Sequence, residues 1–382
     1  MKIGMIETVS SHGGMNYYDF GLINSLSKLV DQVFFYTSEE LKFDFKGDVE
    51  VFLSYKNLFK AKKRLEQMFI FLFGTIRSVL SMKRKKVELL HYQIFSISIL
   101  EFFVVRFAKL MGLKVVVTIH DIESFNKENK KWIKRIFYKN LDGIIVHNKV
   151  SYLALENQKE IEYFKGEILI AHHGSYIGLL PEKIDKKIAK KSFNIPIEDF
   201  VFLFFGQIKK VKGLDILLKA FASISNNKNR NIWLLVAGKV WKDDFSIYKK
   251  IIDDYAIDNN IIMNIGYVDD DEVVNYYSAA DCVILPYRKI YQSGVLLMAQ
   301  SFKVPVLVSN LPGMVEIVTN NENGFIFDSG SEESLKYKME EIIAYKDLSI
   351  VVDKAYENLE VNYSWDRIAR LQCDFLKKIL EK

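Results

Sequence analysis

The chain has 382 residues, 49% hydrophobic and 26% charged, with a net charge of +5. That length exceeds one ordinary core and predicts two domains, and the composition excludes a disordered or low-complexity protein. Two cysteines, Cys282 and Cys373, make no metal or redox spacing, so both are expected as small buried hydrophobes in a reducing compartment.

Apolar runs of strand type alternate with helical segments, the pattern of an α/β protein with parallel sheets flanked by helices. Met1-Lys2 leads straight into the first strand, Lys2–Val9, with no signal peptide expected ahead of it. Ser11-His12-Gly13-Gly14 is a glycine turn before a helix from about Asn16 to Leu29. Further strands are expected at Gln32–Thr37, Val49–Ser54, Glu88–Gln93, Leu113–His120, Gly143–His147 and Glu167–His172.

Charge is uneven along this half. From residue 51 to 150 there are 20 Lys and Arg against 7 Asp and Glu. The excess gathers in Phe59–Lys86, where Lys62, Lys63 and Arg64 at one end and Lys83, Arg84, Lys85 and Lys86 at the other flank an apolar middle, Met68–Phe73. That middle falls short of the ~18–20 apolar residues that span a bilayer. Two readings fit: an amphipathic basic helix on an anionic membrane surface, or a core-packed helix with solvated lysine ends. No RRM, KH or helix-turn-helix signature accompanies the basic patch, so no nucleic acid partner is expected. Ile94–Leu110, interrupted by Glu101, Arg106 and Lys109, predicts a packed helix.

A boundary falls near Pro181–Pro196, after the His172-His173-Gly174 turn. Strands follow at Phe200–Gly206, Asn231–Gly238, Ile261–Gly266, Asp281–Pro286, Pro305–Ser309 and Gly324–Phe327. The stretch Val201–Phe221 carries most information. Its strand stops at Gly206, lysines follow at 209, 210 and 212, and Gly213 opens an amphipathic helix. A strand passing through a glycine turn into a helix N-terminus is an anion site, and added ammonium groups suit a diphosphate; an ordinary solvated loop is the alternative. In Ala279–Glu316 a strand, a Pro286 loop and Gln292-Ser293-Gly294 again open a helix, before a turn at Pro312-Gly313. The last helix, about Trp365–Leu380, shows an apolar stripe of Ile368, Leu371, Phe375 and Ile379.

The second half resembles the glycosyltransferases of the GT-B fold, specifically the large retaining family 4. The matching residues are Gly206-x-Ile208-Lys209-x-x-Lys212-Gly213, Ala280-Asp281, Pro286, Ser293-Gly294, Pro305-Val306, Gly313, Glu316 and Asn323-Gly324. The first half resembles the family through Gly13-Gly14 and through His120-Asp121 at the end of a strand. The resemblance implies two Rossmann-like domains facing each other across a deep cleft: an acceptor-side domain (1–183), a nucleotide-sugar-binding domain (184–362), and a terminal helix (363–382) crossing back. It also implies retaining transfer of a hexose-type sugar from a UDP- or GDP-linked donor to a cell-surface polysaccharide or lipid-linked glycan acceptor. The place would be cytoplasmic, peripheral on the inner membrane face, with no metal or other cofactor.

The roles follow residue by residue. His120 would face the transferred sugar; its alternative is a loop histidine satisfied by local backbone. Lys209 and Lys212, with N–H groups at Gly13-Gly14 and Ser293-Gly294, would stabilise the leaving diphosphate. Gly206, Gln292 and Glu316 would complete donor binding, with helix capping the alternative for Glu316. Asp269-Asp270-Asp271 is expected to cap a helix running through Tyr277 rather than to hold a metal. Many relatives carry two glutamates with seven residues between them where Ile290 and Met298 stand here. A sub-group with Ser-Gly in this loop lacks that pair, and the chain resembles that sub-group. A catalytically idle GT-B subunit binding a partner transferase or acceptor is the competing reading. A nucleotide-sugar 2-epimerase is disfavoured for want of carboxylates suited to acid–base work.

Overall fold

The computed structural model describes residues 1–9, 14–39, 43–122, 131–225 and 231–382. The chain divides into two units, Met1–Gly174 with Tyr363–Lys382, and Ser175–Asn362. Each is a parallel sheet covered by helices, and each of the thirteen runs expected as strands forms one.

In the first unit the order is β1 (Lys2–Ile6), α1 (Met15–Leu26), β2 (Gln32–Tyr36), β3 (Val49–Phe52), α2 (Arg64–Arg84), β4 (Leu89–Ile94), α3 (Ile99–Leu110), β5 (Lys114–Ile119), α4 (Lys131–Lys139), β6 (Gly143–Val146), α5 (Lys149–Glu156) and β7 (Glu167–Ile170). The sheet runs β3-β2-β1-β4-β5-β6-β7, so strand order reverses between β1 and β4. Central strands such as Val-Val-Val-Thr-Ile in β5 are buried on both faces, as parallel strands under two helical layers must be. Ile94 pairs with Ile119 and so ends β4 rather than opening the helix expected from it. α3 begins five residues later, where Ser98 and Glu101 form a capping box.

The second unit runs α6 (Lys186–Ser192), β8 (Phe200–Phe205), α7 (Leu214–Ser225), β9 (Ile232–Ala237), α8 (Ser246–Tyr255), β10 (Ile261–Asn264), α9 (Asp270–Ala279), β11 (Cys282–Leu285), α10 (Gly294–Ser301), β12 (Val306–Ser309), α11 (Pro312–Val315), β13 (Phe325–Phe327), α12 (Glu332–Ile343) and α13 (Ser349–Asn362). Its sheet order is β10-β9-β8-β11-β12-β13, with the reversal between β8 and β11. The segment ahead of residue 184 belongs here, because the Tyr176 N–H donates to Ser301 Oγ and the Ile184 N–H to Ser278 Oγ. Cys282 lies buried on β11.

α14 (Trp365–Glu381) returns to the first unit and packs on α1. Trp365 is the key of that contact. Its indole fills space that a side chain at Gly21 or Gly174 would occupy, and it meets the ring of Tyr18 at 5.2 Å and of His173 at 5.8 Å. The expected stripe is corrected at one place: Leu371 is exposed, while Gln372 and Cys373 turn inward with Ile368, Phe375 and Ile379. Trp365→Ala should lower the stability of the first unit by about 3–5 kcal/mol, the cost of emptying an aromatic site. Urea unfolding followed by near-ultraviolet circular dichroism would check it.

Candidate functional site

In open α/β sheets ligands bind beyond the carboxyl ends of the strands where strand order reverses. In the second unit that point lies between β8 and β11, where the two motif segments meet. β8 is followed directly by Gly206, whose φ of +106° suits only glycine. Lys210–Lys212 make one tight turn, and Gly213 (φ +68°) hands the chain to α7. The loop after β11 is locked onto this turn. The Pro286 carbonyl presses on Gly213 where any side chain would clash. The Arg288 N–H donates to the Val211 carbonyl at 2.9 Å. Its guanidinium grips Asp215 through two bonds of 2.7 and 2.6 Å and also donates to the Lys210 carbonyl at 3.0 Å. Burial pushes the Asp215 carboxyl up, but the Arg288 fork outweighs it and leaves its pKa below the ordinary value.

On this double loop Lys212 Nζ stands 3.6 Å above the ring of Tyr287. Among the described residues no carboxylate lies within ion-pair distance of Lys212. Desolvation lowers its pKa to about 7. Tyr287 is buried, which pushes its hydroxyl up to about 12, against the opposing pull of the Ser293 hydroxyl and the Lys209 charge beside it. Ser293 caps α10 by accepting from the Leu296 N–H at 3.3 Å. The first N–H groups of α10, at Gly294 and Val295, are left without helical partners. Gly206 lies over that helix end, 3.3 Å from Val295 Cγ2 measured from where a side chain would start. Lys209, Lys212, Gly206, Ser293 and Gly294 therefore come together.

Gln292 is half-buried in the same loop. Glu316 is the half-buried C-cap residue of α11, three residues beyond Gly313, which packs on the Ile290 and Tyr291 carbonyls. Ile290 and Met298 pack against the apolar cluster that contains Tyr287. Asp269 holds the N-cap place of α9 but makes no side-chain cap bond, contrary to expectation; Asp270, Asp271 and Glu272 fill the first turn, where acidic charge favours the helix dipole. Among the described residues no group of three or more His, Cys, Asp or Glu could hold a metal ion.

The first unit has its own polar centre at its reversal point, beyond β1 and β4. Gly13 lies outside the described residues; Gly14 is the helical N-cap of α1. His120 follows β5 and is held on both sides: Nε2 meets Gln93 Oε1 at 2.6 Å and Nδ1 meets His147 Nε2 at 3.1 Å. His147 Nδ1 meets the Ala171 carbonyl at 3.0 Å, and Gln93 Nε2 donates to Asp19 Oδ1 at 3.3 Å. No ring nitrogen of His120 is left over for a ligand. The edge of the Tyr18 ring closes on both imidazoles.

Donor and acceptor counting constrains the protons here. Since Ala171 only accepts, His147 Nδ1 carries hydrogen. With the Gln93 oxygen toward His120, Nε2 of His120 does too, and a third hydrogen lies between the rings. Three hydrogens on four nitrogens make the pair cationic, beside an ionised Asp19. A half-turn of the Gln93 amide gives the neutral alternative: Asp19 O–H donates to the amide oxygen, the amide N–H to His120 Nε2, and His120 Nδ1–H to His147. Burial selects the neutral form. It raises the Asp19 carboxyl well above its usual range, with the neighbouring Glu7 carboxyl adding to the shift. It lowers His120 and brings His147 to about 3, with nearby histidines adding to both. Burial also brings His91 and His173 to about 4.

Two predictions follow from these centres. Arg288→Ala leaves Asp215 without its fork and should destabilise the second unit by about 1–3 kcal/mol, measured by thermal unfolding. Acid should destabilise the first unit. Below about pH 6.5 the unfolded chain takes up histidine protons that the fold refuses, at up to about 1.4 kcal/mol per pH unit for each histidine. Asp19, with its raised pKa, has the opposite sign: its contribution is complete at low pH and lost as pH rises. Four histidines outnumber it. The urea midpoint should therefore fall between pH 6.5 and 4.5, and fall less steeply in His91→Gln.

Of the expected membrane-surface residues, Lys62, Lys63 and Arg64 lead into α2, Lys83 and Arg84 close it, and Lys86 follows it. Lys85 is engaged elsewhere, 2.8 Å from Glu50 and over the rings of Phe34 and Phe52. Sequence reasoning did not single out Tyr287, Arg288 and Asp215 in one unit, or Asp19, Gln93 and His147 in the other. The Tyr-Arg pair directly after Pro286 was the available signal.

Two family models match the chain: Glycosyl transferases group 1 over residues 185–358, and Glucosyltransferase 3-like, N-terminal domain over 60–160. Curated relatives include the capsular polysaccharide biosynthesis glycosyltransferase CapM of Staphylococcus aureus, 26% identical over 56% of this chain and 57% of that protein. Another is the lipopolysaccharide 1,2-N-acetylglucosaminetransferase of Salmonella typhimurium, 26% identical over 50% of this chain and 52% of that protein. The chain thus spans little more than half the length of these relatives. Solved structures with the same fold include sucrose-phosphate synthase of Thermosynechococcus elongatus, with a TM-score of 0.77 at 16% identity over 100% of this chain and 99% of that one. HepE of Anabaena in complex with UDP gives 0.74 at 17% identity over 99% and 100%. The chain has the GT-B fold of these glycosyltransferase structures, and its residues 185–358 match the group 1 glycosyl transferase family model.

Proposed function

We propose that the protein is a retaining glycosyltransferase, moving a hexose-type sugar from a nucleoside diphosphate sugar to a cell-surface polysaccharide or lipid-linked glycan acceptor. The observation that carries this is Lys212: a desolvated ammonium over Tyr287, facing no carboxylate among the described residues, beside a helix N-terminus. A half-buried cation beside unsatisfied N–H groups is complementary to a diphosphate. The match to the group 1 model supports the reading, as do the names of CapM and the lipopolysaccharide transferase and the UDP and UDP-glucose complexes of HepE.

In the proposed reaction the bond from the anomeric carbon to the diphosphate oxygen breaks while the acceptor hydroxyl oxygen attacks that carbon and passes its proton to the departing diphosphate. Negative charge grows on the leaving diphosphate. Lys212 and Lys209, with the N–H groups at Gly294 and Val295, stabilise it electrostatically, without a metal in this reading. Gly206, Gln292 and Glu316 complete the donor site, and Ser293-Gly294 takes over contacts that the absent glutamates would make. In the first unit His120 keeps a fixed orientation, since both ring nitrogens are committed. An idle subunit would have no use for an unpaired, desolvated lysine.

Lys212 also sets the pH dependence. Free, its pKa is about 7; a bound diphosphate favours the ammonium and raises it. Binding above neutrality therefore takes up a proton, and Kd for UDP or GDP should rise by up to about tenfold per pH unit from pH 7 toward the bound pKa. Calorimetry in two buffers of different ionisation enthalpy should show the uptake. Lys212→Arg should abolish it and Lys212→Ala should also cut turnover by orders of magnitude. A purified protein that binds neither nucleotide, and turns over no UDP- or GDP-sugar with a lipid-linked acceptor, would overturn the proposal.

A further inference from the structure

The outer faces of three neighbouring helices in the first unit are apolar where solvated helices are polar. On α2, Leu65, Phe69 and Phe73 recur every four residues and are 67%, 53% and 61% exposed. Ile99 at the start of α3 is 60% exposed, and Trp132 and Ile136 on α4 are 48% and 37% exposed. These helices adjoin: α2 packs on α3 and α3 on α4, where the Phe102 and Trp132 rings meet edge to face at 6.5 Å. So large a run of exposed aromatic and aliphatic side chains marks an interaction surface.

Cations surround it. Lys62, Lys63 and Arg64 stand at one end of α2, Lys83 and Arg84 at the other, and Arg77 continues the Leu65-Phe69-Phe73 stripe. Among the described residues none of the six has a carboxylate within ion-pair distance, whereas Lys85 and Lys109 on the inner side are paired. The three helices carry only two acids, Glu66 and Glu101. A second copy of the chain docking here with two-fold symmetry would set cations against cations, which disfavours it.

α2 is long and apolar enough to cross a membrane by length and composition. Its inner face forbids that. Gly74 lies against the Ser54 carbonyl and the Tyr55 ring, Met82 fills the space beside Gly4, and the helix links β3 to β4 of one parallel sheet. It stays on the sheet, about 30 Å long and parallel to any surface it meets.

We propose that this face docks on an anionic lipid surface, α2 lying in the interfacial plane with Leu65, Phe69 and Phe73 at the acyl boundary and the flanking Lys and Arg among the headgroups. The inference does not rest on the donor site, and nucleotide binding by the same preparations is measured separately.

The test is sedimentation of the whole chain with phosphatidylcholine vesicles, with and without about 30 mol% phosphatidylglycerol. Binding is expected on the anionic vesicles only, weakening as salt rises. Phe69→Ser with Phe73→Ser, and separately Arg77→Glu with Arg84→Glu, should each weaken it roughly tenfold or more, with unchanged thermal unfolding since all four residues are exposed. Equal binding to neutral and anionic vesicles, binding indifferent to both pairs, or no binding at all would overturn the proposal. So would a concentration-dependent dimer, seen by sedimentation velocity, that the same substitutions dissolve.

Discussion

The clamp between the turn after β8 and the loop after β11 is the contact on which the second unit's candidate site depends. Three constraints act on the same few residues: a carbonyl pressed against Gly213, a backbone bond from Arg288 to Val211, and the two-pronged grip of Arg288 on Asp215. Each removes freedom from a segment that would otherwise be surface loop. Together they bring Tyr287 under Lys212 and Ser293 beside it. A lysine on a mobile loop would keep its water and its ordinary pKa. Half-buried over the Tyr287 ring it gives up part of its water and its pKa falls, and its charge is open to whatever anion replaces that water.

The first unit answers the same problem of buried polarity differently. Its centre holds Glu7, Asp19, Gln93 and His147 with almost no solvent and His120 half-buried beside them, and the chain of bonds from Asp19 to His147 closes without net charge once Asp19 keeps its proton. Neutrality there and an unpaired cation in the second unit follow from one rule. Charge in a dehydrated place must be cancelled or await a partner. Counting donors from the Ala171 carbonyl inward shows which course each residue takes. His120 is fixed by its neighbours and holds its orientation at the end of β5.

The strand pattern was legible because parallel strands buried on both faces read as unbroken apolar runs, bounded here by glycine, proline or charge. The glycine-lysine signature was legible for a local reason: Gly206 and Gly213 adopt positive φ within a few residues of the lysines. What the sequence hid was tertiary. Nothing in the spacing of Arg288 and Asp215, 73 residues apart, signals a fork between them. The Gln93–His120–His147 chain depends on β4, β5 and β6 being side by side. α2 divided the two readings offered for it: its inner stripe is packed as a core helix would be, and its outer stripe is apolar all the same. Leu371 failed because a helical stripe locates a face only to within a residue.

Ile290 and Met298 complete the logic of the lysine. Both pack against the cluster that includes Tyr287, so these two places present hydrocarbon and no carboxylate. A glutamate placed there would have to lose its water against apolar neighbours or seek out the nearest cation. Either course would change the setting of Lys212, the first by bringing water into the cluster and the second by supplying a permanent counter-ion. With apolar residues at both places the ammonium keeps a pKa near neutrality and faces no protein anion among the described residues. Ile290, Met298 and the unpaired lysine thus belong to one arrangement, and in the proposed donor site charge and backbone N–H groups rather than carboxylates would meet the anion.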